Sequence, residues 1–379
     1  MFINVSSLQI ARTRTPKPIT PNGELVFGEN MTDHMLVVEW TSSKGWDSPK
    51  ITPYQNFSLD PATGVLQYGF HAFEGMKVFK DEKGKIRLFR PEKNLERMNK
   101  SCARMSLPSF DEESVAELLK KFVKLEERFI PSERGFSLYV RPNMIGTQRS
   151  LSVGPPNSAL LYVIAFPVRP FPSRAIHLEA VEHALRTSPG GAASKKHSPN
   201  LAPVVAPAGL QQTLFLFSDI EPVAGKIVQY INEAGTMDLF CTMNIFFALK
   251  TKSGQKELVT APTGSIILEG LMRLCVLELA RERLQPQGWC VSERKYTIEE
   301  LAEAAHEQRV LEVFGTSTAA VIVPIKSIGH RGGLIKCGPR EVEEMGPVGR
   351  QMRGWIESIQ YGDENHPWRY VCRSESGRA

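Results

Sequence analysis

Cysteine is scarce and scattered. The six residues Cys102, Cys241, Cys275, Cys290, Cys337 and Cys372 form no CxxC and no close pair. That spacing excludes a small disulfide framework and offers no Cys/His zinc pattern, so the thiols are expected to be reduced and structural and no metal is expected. Long hydrophobic runs are also missing. The longest, Ala159 to Phe166, has eight residues and ends at Pro167, far short of a bilayer span and suited to a buried strand. Single-sign charge blocks are absent as well: 46 Lys+Arg and 41 Asp+Glu interleave to a net +5, which argues against nucleic acid and for a solvated surface with room for local anion pockets. The N-terminus lacks the apolar stretch of a secretory signal. Its first eleven residues carry no acid and two serines, so a mitochondrial transit peptide stays open beside the favoured cytoplasm.

What remains is ordinary globular composition, 42% apolar and 23% charged over 379 residues, enough chain for two domains. Residues 35–41 and 64–80 are rich in β-branched and aromatic residues and read as strands. Helices are expected over 91–104, with Pro91 in a first-turn position, and over 111–129, opening on Asp111. Ser137–Arg141 and Ala159–Phe166 read as strands. The proline-rich FPVRPFPSR at 166–174 cannot continue a helix or a central strand. It places a first domain at 1–168, a linker at 169–176 and a second domain at 177–379. Further strands are expected at 213–217, 244–250, 257–260 and 310–314, and helices at 270–284, 298–305 and 342–359. GTMDLF at 235–240 is echoed at once by CTMNIF at 241–246.

Three segments could carry chemistry. RTSPGGAASKKHSPNLAP, 186–203, sets two lysines after a glycine pair, and a lysine held in a dry pocket serves carbonyl chemistry. SIILEGLMR, 265–273, runs from a strand-like stretch through Gly270 into a helix, whose first-turn N–H groups suit a phosphate. VFGTSTAAVIVPI, 313–325, turns through hydroxyl residues and is a second possible cradle. Each alone is more often a plain turn or junction.

Together with LVFGENMTDHMLVVEW (25–40), LQYGFHAFEGMKVFK (66–80), IRLFRPEKNLERM (86–98), SLYVRPNMIGT (137–147), NEAGTM (232–237) and SIQYG (358–362), these segments resemble the eukaryotic branched-chain amino acid aminotransferases, in the same order along the chain. The resemblance implies an α/β (α+β) two-domain fold of fold-type IV, with a small N-terminal and a larger C-terminal domain. It also implies pyridoxal 5'-phosphate, amino acid and 2-oxo acid substrates, and a homodimer with the active site between the domains. Residue by residue, it puts Lys196 on the Schiff-base position, with Lys195 its neighbour, and Arg186 ten residues upstream. Glu233 falls on the acid facing the pyridine nitrogen, with Thr236 beyond it. Arg97, Leu268, Gly270, Leu271, Met272 and Thr318 fall on the phosphate site. Tyr68, Phe73, Tyr139, Arg141, Thr236, Thr318 and Ala319 fall around the substrate.

The chain departs from the family at two places. Ser198-Pro199 replace a glycine pair, and Leu201 replaces the tyrosine that bonds the cofactor's ring oxygen, a bond leucine cannot donate. Residues 219–230 run longer than the family's turn, and DLFCTM, 238–243, splits its GTMN run, so either Thr236 or Thr242 could take the threonine position; only the first copy brings an acid, Glu233. The expected activity is transamination of branched-chain or similar apolar L-amino acids. Other readings are a catalytically impaired or non-enzymatic paralogue, a D-amino acid transaminase, or an aminodeoxychorismate lyase.

Overall fold

In a computed structural model the described residues are 2–171, 174–181, 194–197, 212–220, 227–236, 241–264, 266–338 and 345–372. The chain divides into two compact units, 1–170 with 195–199 and 358–379, and 171–194 with 200–357.

The first unit is built on a ten-stranded sheet. Its central path runs β1 (Gln9–Ile10), β4 (Lys50–Pro53), β2 (His34–Thr41), β9 (Ser158–Val168), β8 (Ser137–Gly146), β6 (Met76–Lys80), β7 (Ile86–Phe89) and β19 (Arg369–Cys372), with β3 (Gly45–Trp46) on β2 and β5 (His71–Phe73) on β8. Two helices cover one face, α2 (Pro91–Arg104) and α3 (Glu112–Leu125). Pro91 sits in the first turn of α2, and Asp111 caps α3 by accepting from the Ser114 N–H. Their apolar stripes, with Leu95, Met98, Leu118 and Phe122, pack on Leu36, Val78, Val140 and Val163 of the sheet in one core.

Two readings change here. The 64–80 stretch is not all strand: Gly64–Tyr68 forms a short helix, α1, closed by Gly69 at φ +66, the left-handed cap that ends helices. The C-terminal β19 pairs with β7, Cys372 opposite Ile86. Residues 369–372 therefore complete the first sheet, although the sequence reading assigns all of 177–379 to the second domain.

The second unit holds a nine-stranded sheet. Strands β12 (Ile227–Thr236), β11 (Gln212–Ile220), β10 (Ile176–Val181), β17 (Val321–His330), β16 (Val310–Ser317) and β13 (Cys241–Lys250) follow one another, and β12 also pairs with β13. Six strands thus close into a barrel, which removes their edges. β14 (Lys256–Thr260) and β15 (Cys290–Glu293) extend from β13, and β18 (Gly333–Lys336) from β17.

α5 (Ile298–His306) opens on a capping box between Thr297 and Glu300 and packs Ile298 and Leu301 on the strands. α4 (Leu271–Arg283) is buried on nearly every side. α6 (Pro347–Tyr361) starts in this unit, where Glu312 of β16 accepts from the Val348 and Gly349 N–H groups at 2.9 and 3.1 Å. Burial pushes the Glu312 carboxyl above its usual range against those N–H bonds. The described part of the echo lies on strands, GT ending β12 and CTMNIF opening β13, with Thr236 opposite Cys241; 237–240 lie outside the described residues.

Candidate active site

In the first unit the site grows from the alternation of two strands. Side chains two apart share a face, and Phe73 of β5 is the cross-strand partner of Asn143 on β8. His71, Phe73, Tyr139, Arg141 and Asn143 therefore line one face. His71 Nε2 meets Asn143 Oδ1 at 3.1 Å, the Arg141 guanidinium lies 4.9 Å from the Phe73 ring centre and 5.2 Å from that of Tyr139, and Tyr139 stacks on Phe166 with Phe27 edge-on. Burial holds the His71 imidazole below its ordinary value; the Asn143 bond opposes this, and the charges of Arg141 and His197 add to it. Gly75 is required here, because a Cβ would come 1.9 Å from the Tyr139 hydroxyl.

Lys196 joins the same face. Its N–H donates to Ser101 Oγ at 3.0 Å, its carbonyl accepts from the Phe73 N–H at 3.2 Å, and its Nζ lies 4.8 Å from the Phe73 ring centre. Asn94, Arg97 and Ser101 recur at three- and four-residue spacing on the buried face of α2. Arg97 donates from Nε and Nη2 to both oxygens of the buried Glu74 at 2.7 Å, Asn94 adds a bond to Glu74 at 2.8 Å, and Ser101 Oγ donates back to the Arg97 carbonyl at 3.0 Å. One helical face thus fixes Glu74 of FEGMK and the backbone of Lys196. Tyr68 stands apart on α1, edge-on to Phe70, its hydroxyl donating to the Leu151 carbonyl at 2.6 Å. Burial, with the Glu74 charge adding to it, pushes the neighbouring Cys102 thiol up to about 12, and Cys102, Cys275, Cys337 and Cys372 are buried thiols outside any disulfide.

In the second unit Glu233 of β12 is buried opposite Asn244 of β13. Its Oε1 accepts from Asn244 Nδ2 at 3.2 Å and from the Leu268 N–H at 2.8 Å, and Asn244 Nδ2 also donates to the Leu268 carbonyl at 3.0 Å. Gly270 follows as the N-cap of α4, where a Cβ would lie 2.1 Å from Asn244 Oδ1. Among the described residues no side chain caps this helix, and its first turn holds no acid, so its leading N–H groups suit a phosphate. Leu271 and Met272 are buried beneath. Thr318 and Ala319 lie in the turn from β16 to β17, followed by Val321 at φ +64, a strained conformation for a β-branched residue. Thr236 ends β12.

The first unit therefore gathers Phe73, Arg97, Tyr139, Arg141 and Lys196. The second gathers Glu233, Leu268, Gly270, Leu271 and Met272. Arg186, Gly190, Gly191, Ser198, Pro199 and Leu201 lie outside the described residues, as does the side chain of Thr236. Glu74, Ser101, Asn244 and Val321 escaped the sequence reading. The one available signal was the acid of FEGMK, Glu74, which the structure places in the break between β5 and β6.

A buried carboxylate held by two N–H donors and an uncapped helix start fit the ring nitrogen and the phosphate of pyridoxal phosphate. Among the described residues no cluster of His, Cys, Asp or Glu could hold a metal, and no helix is long and apolar enough to cross a membrane.

Residues 71–328, from β5 into β17, match the class IV amino-transferases, and the chain belongs to that family. It is 44% identical over 374 residues, covering 96% of both chains, to the cytosolic branched-chain-amino-acid aminotransferase of Saccharomyces cerevisiae. It is 44% identical over 373 residues, 96% of this chain and 84% of the other, to the mitochondrial enzyme of that name from Schizosaccharomyces pombe. The solved branched-chain aminotransferase of Thermoproteus uzoniensis with norvaline has a TM-score of 0.67 at 20% identity, over 89% of this chain and 99% of that one; it bears on the fold alone.

Proposed function

We propose that the chain transfers the amino group of leucine, isoleucine, valine or a similar apolar L-amino acid to 2-oxoglutarate, giving a 2-oxo acid and glutamate. The observation that carries this reading is the placement of the Lys196 amine and the Arg141 guanidinium 4.8 and 4.9 Å from one aromatic ring, Phe73. Transamination needs an amine that moves protons beside an apolar wall, and a cation to orient the substrate carboxylate.

Pyridoxal 5'-phosphate is the cofactor, and when bound it supplies the electron sink that lets the Cα–H bond of an amino acid break heterolytically. In this reading Lys196 Nζ bonds the cofactor at rest and carries the proton taken from Cα. Glu233 holds a proton at the ring nitrogen. The N–H groups after Gly270, with Arg97, Arg186 and Thr318, bind the phosphate, and Thr236 adds a hydroxyl. Glu74 occupies two nitrogens of Arg97 and so fixes its orientation. Phe73, Tyr139 and Ala319 exclude water from the apolar side chain.

The reading includes a homodimer acting in the cytoplasm. The exposure of Leu66, Leu151 and Val153, at 60, 60 and 80%, supports a further protein surface over them. On location, the two relatives carry one cytosolic and one mitochondrial name.

The test is the visible absorbance of the protein with pyridoxal phosphate before and after leucine. A band that forms and changes with leucine supports the reading. A band that answers only D-alanine assigns the D-amino acid chemistry, and one that never forms overturns the enzyme.

A further inference from the structure

The β6–β7 hairpin, the residues before β8 and the chain from the end of α6 into β19 enclose a cavity of about 410 Å³ within the first unit. Its lining carries six cations, among them Lys83, Lys85, Arg87, Arg134 and Arg369, against three carboxylates. Two of those carboxylates are already engaged. Asp81 meets Arg87 Nη1 at 2.8 Å and accepts from the Lys83 and Lys85 N–H groups at 2.9 and 2.7 Å; Asp363 meets Arg134 Nη2 at 2.6 Å.

Arg87 is only 5% exposed. Asp81 and the Lys85 carbonyl both take Nη1, while Nε has no hydrogen-bond partner. A buried guanidinium with an unmet donor is costly, and its Nε–Nη2 edge is the one that grips a carboxylate or phosphate through two parallel bonds. Gly362, at φ +78, lies against this guanidinium on its Nε–Nη2 side, where a Cβ would come 2.5 Å from Cζ and Nε and 2.6 Å from Nη2. The C-terminal chain can therefore close on Arg87 only through glycine.

We propose that this cavity is a binding site for a small oxyanion, carboxylate or phosphate, received by Arg87 and flanked by Lys83 and Lys85. The site lies outside the transaminase machinery. Its ligand bridges the β6–β7 hairpin to the segment that leads into β19 and stabilises the folded chain by mass action.

The test is calorimetric titration of the protein loaded with pyridoxal phosphate, so that the cofactor's own phosphate position is filled. Sodium phosphate and sodium succinate are the probes, at ionic strength matched with sodium chloride. Saturable binding of one anion per chain, at least ten-fold weaker in Lys83→Glu/Lys85→Glu and in Arg87→Gln, is the expected result. The tighter of the two probes identifies the source as phosphate or carboxylate. Because Arg87→Gln could unfold the buried pair, the exposed lysine double variant carries the test alone if needed. Heats that never saturate, or equal affinity in the double variant, mean an adventitious ion only and overturn the proposal.

Discussion

Asn244 Nδ2 lies 3.2 Å from Glu233 Oε1 and 3.0 Å from the Leu268 carbonyl, so one amide ties the buried acid of β12 to the entry of α4. The echoed segment gives this arrangement its meaning, since Glu233 stands two residues before the first copy and the second copy carries Asn244. Asn244→Ala removes both bonds and leaves Glu233 with one fewer donor. Stability should fall by about 1–3 kcal/mol and kcat/KM with leucine by about 10- to 100-fold, as for other supporting-shell losses. Urea unfolding and steady-state kinetics check the pair, and unchanged kinetics would remove Glu233 from the machinery.

A second prediction concerns the fork between Arg97 and Glu74, two bonds of 2.7 Å with almost no exposure. Removing one partner of such a pair leaves a buried charge unmet. Glu74→Ala should cost about 3–5 kcal/mol and weaken cofactor binding. The double variant Glu74→Ala/Arg97→Met should recover much of the stability and none of the cofactor affinity. Recovery of both would mean that Arg97 is a structural residue only.

Much of the fold is legible in local patterns. The helix expected over 91–104 is α2 to the residue, and the strand expected over 159–166 gains only one or two residues at each end as β9. Gly64–Tyr68 is misread because GVLQY has strand composition, whereas its ending is written in Gly69, which any tight turn shares. β10 is hidden behind FPVRPFPSR, whose prolines stop just before it. At the site, residue types on a family motif can be read, but their supports cannot. Glu74 meets an arginine 23 positions away, and Ser101 meets Lys196 across 95. The echo left Thr236 and Thr242 as rivals; the pairing of Thr236 with Cys241 and of Glu233 with Asn244 makes the copies neighbours in one hairpin.

The lysine pair gives a third prediction. Lys196 is fixed at both backbone groups, by Ser101 and Phe73, and its Nζ lies over Phe73. Lys196→Ala should abolish the absorbance band of the bound cofactor, and Lys195→Ala should spare it. The reverse pattern would show that the catalytic register is shifted by one residue.

The fourth prediction follows from His71, whose pKa lies below the ordinary 6.5 chiefly through burial, with Arg141 and His197 facing it and Asn143 opposing. A base depressed in the folded state binds fewer protons there than when unfolded. Its stabilising contribution is therefore present above pH 6.5 and declines as the pH falls from there through the folded value. Chemical unfolding at a series of pH values should show the wild type losing stability over this acid side. His71→Gln, which can still bond Asn143, should lose less, and parallel curves would sink the assignment.

The last prediction joins Gly75 to Tyr139. A Cβ at residue 75 would stand 1.9 Å from the tyrosine Oη and 2.7 Å from Cζ. Tyr139 cannot swing away, because Phe27 and Phe166 hold its ring at 5.4 and 5.2 Å. Gly75→Ala should therefore overpack the strand, at about 1–3 kcal/mol, and displace the aromatic wall beside Phe73. The expected signature is a raised KM for leucine with the cofactor band retained, because Lys196 is anchored from α2 and β5 and not by Tyr139. Adding Tyr139→Phe removes the closest clashing atom and should return part of the stability. If Gly75→Ala leaves KM unchanged, the wall at Tyr139 does not border the substrate.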